Sequence, residues 1–528
     1  MNVSKMGITG QAISVVLGLA LFVPSALAQT AIQPQTMPQV GQVDPRFVSF
    51  NIEAVEVAGG RFWKPFKEEG GSDQPNTSAA PGKNASATSV DPYEYRPPIN
   101  LGRSKLRKLA AALGPSYLRV SGTWMNSMFF QDDDAPALAT PPQGFKGVIT
   151  RAQWKGVVDF SRAVNAELAT SAAISDGTRD AGGAWMPLQT KALFDYTKSI
   201  GGRIAAAEFM NEPTFASVGG APKGYDAVAF ARDAKLFRSF LRAESPDTIF
   251  LGPGSIGEGV PMVQGMPMPK MISSEDMLKD AGPVFDAFSY HFYTTLSTRC
   301  VGKAALSWEK VLTPEYLNRN PEAEAYYANL RDRYLPGKPI WNTETGEAGC
   351  GGNRWASNYV DSFRFIDQLG VLAQKNVQTV IVNTLAASDY GLLDPSTLDP
   401  RPDFWAALLW KRIMGTRVLN PMVPSTAELR IYAQCAKESK GAVALVVLNL
   451  DRDNPQSLKV PLAGKRFTLS APQLLSNTIS LNGVELNARE DGSLPNINGA
   501  SFKPGSVLLN PATITFIVFP DAKNSSCM

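Results

Sequence analysis

The chain of 528 residues has a single histidine, His291, and that scarcity removes more chemistry than any other feature of its composition. A metal held by several histidines cannot be built from one, so most zinc and non-haem iron hydrolase mechanisms drop out. A Ser-His-Asp triad would have to use His291, and no G-x-S-x-G elbow supplies its serine. A G-x-x-x-x-G-K-[ST] phosphate loop and a G-x-G-x-x-G fingerprint are also missing. No dense Lys/Arg run exists and the net charge is only +3, which excludes a dedicated nucleic-acid binder. Carboxylate chemistry is what remains, with no cofactor and no metal expected.

Cysteine is scarce too. Cys300, Cys350, Cys435 and Cys527 are all there are, and no two have the C-x₂₋₄-C spacing of a zinc site. Long apolar runs are confined to the N-terminus, where one Lys precedes an apolar stretch from about Ala12 to Val23 and an Ala26-Leu27-Ala28 cleavage site. That reads as a signal peptide over 1–28, too short to span a membrane. A secreted or periplasmic protein is expected, with no membrane partner. An even cysteine count in an exported chain suggests two disulfides.

What is present is a repeating pattern. Short β-rich runs occur at 46–55, 116–124, 166–175, 206–213, 248–255, 287–293, 339–346 and 379–386. Helical patterns lie between them, such as "SKLRKLAAALG" with Ser104 as N-cap and Gly114 as stop, and "ITRAQWKGVVDFSRAVNAE" capped by Thr150. Eight strands alternating with helices predict an α/β fold, a (β/α)₈ TIM barrel, over 46–415. Beyond it, runs such as "GAVALVVLNL" and "TITFIVF" between turn residues predict a β-sandwich module over 416–528, which the segment 29–45 is expected to join. The Gly/Ser/Pro/Asn-rich stretch 67–100 is expected either as a loop on the catalytic face, where with Trp63 it would favour an exo-acting pocket, or as a disordered insertion.

In a barrel of this kind, active residues sit at the carboxyl ends of strands. Glu212 in "AAEFMNEPTF" ends the fourth run, and Glu344 in "NTETGEAGCGG" lies near the end of the seventh, with Glu347 as a competitor. Two carboxylates facing one cleft are what glycoside hydrolysis needs, one protonated to help the leaving oxygen depart and one ionised to attack the anomeric carbon. Asn211 is placed to bind a sugar 2-hydroxyl, while His291 and Tyr293 in "SYHFY" end the sixth strand beside the nucleophile.

The motifs "FVSFNIEA", "LGPSYLRVSGT", "EFMNEPTF", "SYHFY", "TETGEAGCGG" and "YGLLDPSTLDPRPDFWAALLWKRIMG" resemble, in order, the heparanase and β-glucuronidase family of retaining glycoside hydrolases, family 79. The resemblance extends through "ISLNGVEL" and "FKPGSVLLNPATITFIVF". It implies Glu212 as acid/base, Glu344 as nucleophile, Asn211 as 2-hydroxyl ligand and Tyr390 in the sugar-binding subsite. The loop Gly349-Cys350-Gly351-Gly352 would hold a uronate carboxylate through backbone N–H groups. A Cys435–Cys527 disulfide matches a family pairing. A Cys300–Cys350 bridge would brace the Gly-rich loop, with two free thiols as the alternative.

Departures from heparanase are Gly349 where it has Tyr, Glu53 where its first strand has Asp, and Trp124 in place of a basic residue. Sulfate-binding basic clusters and the excised linker of heparanases are not seen either. The expected function is therefore a retaining β-glucuronidase acting on a β-glucuronide glycoside or oligosaccharide, as a monomer. The alternatives are an endo-acting heparanase- or hyaluronidase-like glucuronidase, another clan member such as a β-xylosidase or arabinofuranosidase, or a non-catalytic carbohydrate-binding barrel.

Overall fold

Eight parallel strands form a closed barrel in the computed structural model, which describes Met1 and residues 29–66, 91–263, 271–437 and 439–528. The leader expected over 1–28 and most of the loop expected over 67–100 lie outside the described residues. The barrel strands are β1 (Val48–Glu53), β2 (Ser116–Ser121), β3 (Ala166–Ser171), β4 (Ile204–Glu208), β5 (Ile249–Ser255), β6 (Ala287–Leu296), β7 (Ile340–Gly349) and β8 (Val380–Val382). Each pairs with the next, and β8 closes on β1 through Val380 opposite Val48. The strands are buried on both faces because helices cover the outside, which is why they read as apolar runs and not as alternations.

The helices begin where local chemistry allows. Thr150 caps Arg151–Ala163 by accepting from the Gln153 N–H, and the Gln153 side chain returns the bond in a capping box. Ser104 is not the N-cap of its helix. It is the first helical residue of Ser104–Ala112, Arg103 takes the cap position, and no side-chain cap bond forms there. At the other end, Leu113 is the C-cap, one residue before Gly114.

The barrel interior is layered. The lower layer is apolar and takes one residue from each of several strands, with the Tyr117 and Trp341 rings 4.8 Å apart among Ala169, Ala206, Leu251, Ala287 and Ile381. Two residues further along β1, β2, β4, β6 and β7 the layer becomes polar, with Asn51, Arg119, Glu208, Ser289 and Thr343. The pairing of β6 with β7 then slips, because Tyr290 faces Asn342 while His291 faces Glu344. Strict alternation would turn Glu344 outward after an inward Thr343. The bulge turns both inward, Thr343 donating to Glu208 and Glu344 accepting from Arg119.

After the helix Pro402–Ile413 the chain becomes strand-rich. Met414–Leu419, Leu429–Ala436, Val443–Asn449, Thr513–Phe519 and Gly464–Ser470 form an antiparallel sheet, whose edge is extended by Gln39–Gln42 from the N-terminal segment. A smaller sheet joins Gln29–Ala31 to Gln456–Val460 and Gly505–Leu509. The two share a core of their own, in which the Cys435–Cys527 disulfide is buried beside Val443 and Phe519. Among the described residues no helix is long and apolar enough to cross a membrane.

The Cys435–Cys527 bridge closes a separation of 92 residues, so it removes substantial freedom from the unfolded chain. The double variant Cys435→Ala, Cys527→Ala should lose about 2–4 kcal/mol of stability. Thermal unfolding of the oxidised protein and the variant measures this, and equal midpoints would contradict it.

Candidate active site

The site is organised around a residue that the sequence reading passed over. Arg119 lies on β2, almost wholly buried, among strands that offer no solvent. A guanidinium there requires partners in fixed positions. Its Nη1 donates to Glu344 Oε2 at 2.7 Å, and Nε and Nη2 donate to Glu208 Oε2 at 3.1 and 2.9 Å. Nη2 also donates to Asn211 Oδ1 at 2.8 Å. A signal did exist, since one arginine in the run "SYLRVSGT" has to be paired if that run is an interior strand.

Glu344 is held from a second side by Tyr293, whose hydroxyl donates to Oε1 at 2.7 Å. Asn383 donates to the Tyr293 hydroxyl at 2.8 Å and to Glu53 Oε1 at 3.1 Å. Glu212 lies four residues beyond the end of β4, in a left-handed backbone conformation (φ 51°, ψ 60°), at the head of the turn Pro213–Phe215. That conformation costs a non-glycine residue about 1–2 kcal/mol. The preceding peptide is clamped by Asn126, which accepts from the Asn211 N–H and donates to the Asn211 carbonyl, both at 2.9 Å. Asn126 is a second residue that the strand pattern could not single out.

His291 Nδ1 is 3.0 Å from Glu212 Oε1 and 3.8 Å from Glu344 Oε2. One atom each of Glu212, His291 and Glu344 lies within 4.8 Å of the others. Burial raises the Glu212 carboxyl above its usual range; the hydrogen bond from His291 opposes this and the Glu344 charge adds to it. Burial alone would lower His291, but the Glu344 charge and the Glu212 hydrogen bond leave it raised. Glu53 is pushed well up by burial and by the charge of Glu344. Burial is the largest influence on Glu208 and would raise it, but the Arg119 and His291 charges and the hydrogen bonds from Thr343 and Arg119 together leave it lowered.

Glu212 and Glu344 face one cavity of about 550 Å³, together with Glu53, Tyr293, Gly349, Cys350 and Tyr390. Asn211 and His291 are not among its lining residues, but Asn211 Nδ2 is 3.5 Å from the Thr123 hydroxyl and His291 Nδ1 is 3.0 Å from Glu212 Oε1, and both of those partners line it. The Gly-rich loop is corrected in part. The Gly352 N–H donates to the Ala348 carbonyl at 3.2 Å and so is not offered to a ligand. Gly351 packs against Trp63, where a Cβ would come within 2.5 Å of the Trp63 Cβ, and it does not line the cavity.

The loop is braced by the Cys300–Cys350 disulfide and by Arg299, which was also passed over. Arg299 donates to the carbonyls of Lys64, Cys350 and Gly352, pairs with Asp389 and lies 3.9 Å from the Phe66 ring centre. Glu347, the competitor for the nucleophile's role, is outside the cavity. It accepts from the Asn353 N–H and Nδ2, both at 2.8 Å, and burial pushes it up to about 8.

A parallel (β/α)₈ barrel with two glutamates at one cavity on the carboxyl side of β4 and β7 has the layout of a glycoside hydrolase. The family described as glycosyl hydrolase family 79, N-terminal domain, matches residues 99–370. The chain belongs to that family and is a glycoside hydrolase. It is 26% identical over 499 residues to heparanase-like protein 1 of Arabidopsis thaliana, covering 83% of this chain and 88% of that one. It is 27% identical over 482 residues to a hyaluronoglucuronidase of Hirudo nipponia, covering 81% and 92%. Among solved structures, the α-L-arabinofuranosidase from Thermotoga maritima superposes with a TM-score of 0.61 at 13% identity, covering 93% of this chain and 99% of that chain. That likeness extends to the fold alone.

Arg119→Met would leave the Glu208 and Glu344 carboxylates buried without their cation. Removing one partner of a buried pair typically costs ~3–5 kcal/mol. The expected result is a large drop in denaturant midpoint, and an unchanged midpoint would show that the two carboxylates do not depend on Arg119.

Proposed function

We propose that this glycoside hydrolase is a retaining β-glucuronidase in which Glu344 is the nucleophile and Glu212 the acid/base. The observation that carries the reading is the pair itself, one oxygen of each within 4.8 Å at a shared cavity. Retaining enzymes separate their carboxyl groups by ~5–5.5 Å and inverting enzymes by ~6.5–9.5 Å, the extra room holding a water.

In the first step Glu344 attacks the anomeric carbon and forms an ester bond to it. The bond to the glycosidic oxygen breaks, and Glu212 gives that oxygen its proton. Arg119 and Tyr293 keep the Glu344 oxygens aimed as this happens. Once Glu344 is esterified its charge is gone, and it no longer pushes Glu212 up. Glu212 then takes a proton from a water, the resulting hydroxide adds to the anomeric carbon and Glu344 leaves. The sugar is released with its original configuration.

A uronate carboxylate suits the Gly-rich loop, because Gly349 and Cys350 reach the cavity and Arg299 fixes the loop from behind. The N–H of Cys350, which lines the cavity, donates to no acceptor among the described residues, which supports the loop as the carboxylate's ligand. Asn211, its Oδ1 held by Arg119, has its Nδ2 turned toward Thr123 at the cavity wall and is the proposed 2-hydroxyl ligand. The hyaluronoglucuronidase among the relatives supports the same sugar. Two disulfides support a secreted or periplasmic location.

Three outcomes are expected. Nitrophenyl β-glucuronide should be cleaved with kcat/KM ~10- to 100-fold above the β-glucoside and β-xyloside, because a neutral sugar leaves the loop donors unsatisfied. A ratio near or below one promotes another clan activity. Glu344→Gln should lose several orders of magnitude in rate, whereas Glu347→Gln keeps most of it; the reverse would reassign the nucleophile. The acid must be protonated in the first step, so kcat/KM should be full below the raised pKa of Glu212 and lost as pH rises through it. A Glu212→Gln variant assayed on a substrate with an excellent leaving group should lack that alkaline limb.

A further inference from the structure

A residue in the left-handed region, such as Glu212, persists there only where its surroundings hold it. His291 Nδ1 meets the Glu212 carboxyl at 3.0 Å, which fixes the side chain but not the backbone that carries it. That backbone is held from Asn126, in the turn Met125–Ser127 that follows β2. Asn126 is fully buried and is not among the residues that line the cavity. Its Oδ1 accepts from the Asn211 N–H, and its Nδ2 donates to the carbonyls of Asn211 and Gly219, all at 2.9 Å. A side-chain amide has two N–H bonds to give, so both are used.

One side chain thus ties together both ends of segment 211–219. Between those ends the chain folds on itself. The Phe215 N–H donates to the Glu212 carbonyl at 3.0 Å and the Gly219 N–H to the Phe215 carbonyl at 2.9 Å. Glu212 is the first residue inside the tie, so the Asn211 peptide sets the direction in which its side chain leaves the backbone. Asn126 reaches the loop after β3 by a different route. Its backbone carbonyl accepts from the Ile174 and Ser175 N–H groups at 2.8 and 3.0 Å, a link that a side-chain substitution leaves in place. Glu344 is aimed by Arg119 and Tyr293, and neither of these hydrogen-bonds to Asn126.

Resting on the assignment of Glu212 as acid/base, we infer that Asn126 is the positioning residue of that acid/base alone. Through the backbone of Asn211 and Gly219 it keeps Glu212 in the conformation from which its carboxyl reaches the glycosidic oxygen, and it takes no part in aiming the nucleophile. A displacement of about 1 Å in a positioned group costs ~100-fold in rate. Glu212 acts twice, giving its proton to the departing oxygen and later taking one from the water that hydrolyses the Glu344 ester. A phenol acidic enough to leave as its anion needs no proton, so its departure is spared when Glu212 is misplaced. Hydrolysis of the ester is slowed whatever has left.

Two variants test this. Asn126→Asp keeps the shape and the acceptor for the Asn211 N–H but sets an oxygen against the Asn211 and Gly219 carbonyls. Asn126→Ala removes all three bonds. Each is assayed on a dinitrophenyl β-glucuronide and on a phenyl β-glucuronide whose phenol is weakly acidic. On the weakly acidic phenol kcat/KM should fall ~100-fold, and on the dinitrophenyl substrate it should stay within about 5-fold of wild type. On the dinitrophenyl substrate kcat and KM should fall together, because the Glu344 ester accumulates. A merely structural role lowers kcat/KM equally on both substrates. That result overturns the inference, as does failure of both variants to fold. Glu212→Gln, run in parallel, separates the two readings. If it shows the leaving-group dependence and the Asn126 variants do not, Asn126 alone is misassigned. If it loses both substrates equally, the acid/base assignment fails and the inference with it. Should the enzyme cleave another sugar, the same two aglycones on that sugar decide the question.

Discussion

The interaction on which the site depends is the buried contact of Arg119 with Glu208 and Glu344. A barrel interior of this kind is filled with side chains and offers little water, so a carboxylate there needs a cation or must take up a proton. One guanidinium serves several acids. Glu208, which accepts two bonds from it, is lowered, while Glu53 and Glu212 lie further out and are raised by burial and by the charge of Glu344. Around one arginine, Glu208 thus separates from Glu53 and Glu212 in protonation tendency by position. Glycoside hydrolysis needs that separation, and the same pairing makes Arg119 expensive to lose.

The second constraint is the slip between β6 and β7. A strand alternates its side chains, so Thr343 and Glu344 cannot both face inward in regular pairing. The bulge allows it, and Thr343 supports Glu208 while Glu344 faces His291 and Tyr293. Thr345 then turns outward to Gln368 on the covering helix, which anchors the strand on the far side of the bulge. The left-handed backbone at Glu212 does comparable work on β4, and Asn126 holds the peptide beside it. Both glutamates are therefore aimed by local departures from regular structure.

Around this core the Gly-rich loop is fixed from three directions, by the Cys300–Cys350 bridge, by Arg299 and by contact with Trp63. Trp63 packs against Tyr93 and meets Trp124 edge-on, and all three line the cavity beside that loop.

Much of the architecture was legible in the sequence, because buried parallel strands must be apolar and helices must carry caps and stops. All eight barrel strands lie within or beside the runs read from the chain, and Thr150 is the cap that its spacing with Gln153 implies. The motifs around Glu212 and Glu344 were legible for a related reason, since polar residues at the ends of apolar runs mark the mouth of a barrel. Arg119, Asn126, Asn383 and Arg299 were not, because their importance lies in partners dozens to hundreds of residues away. The bulge was equally invisible, since register is a property of two strands together. Sequence determined which residues line the barrel and where its mouth opens. Tertiary structure decided which acids share a cation, which way Glu344 points and which loop N–H groups are already spent, because each depends on distances that exist only after the barrel has closed.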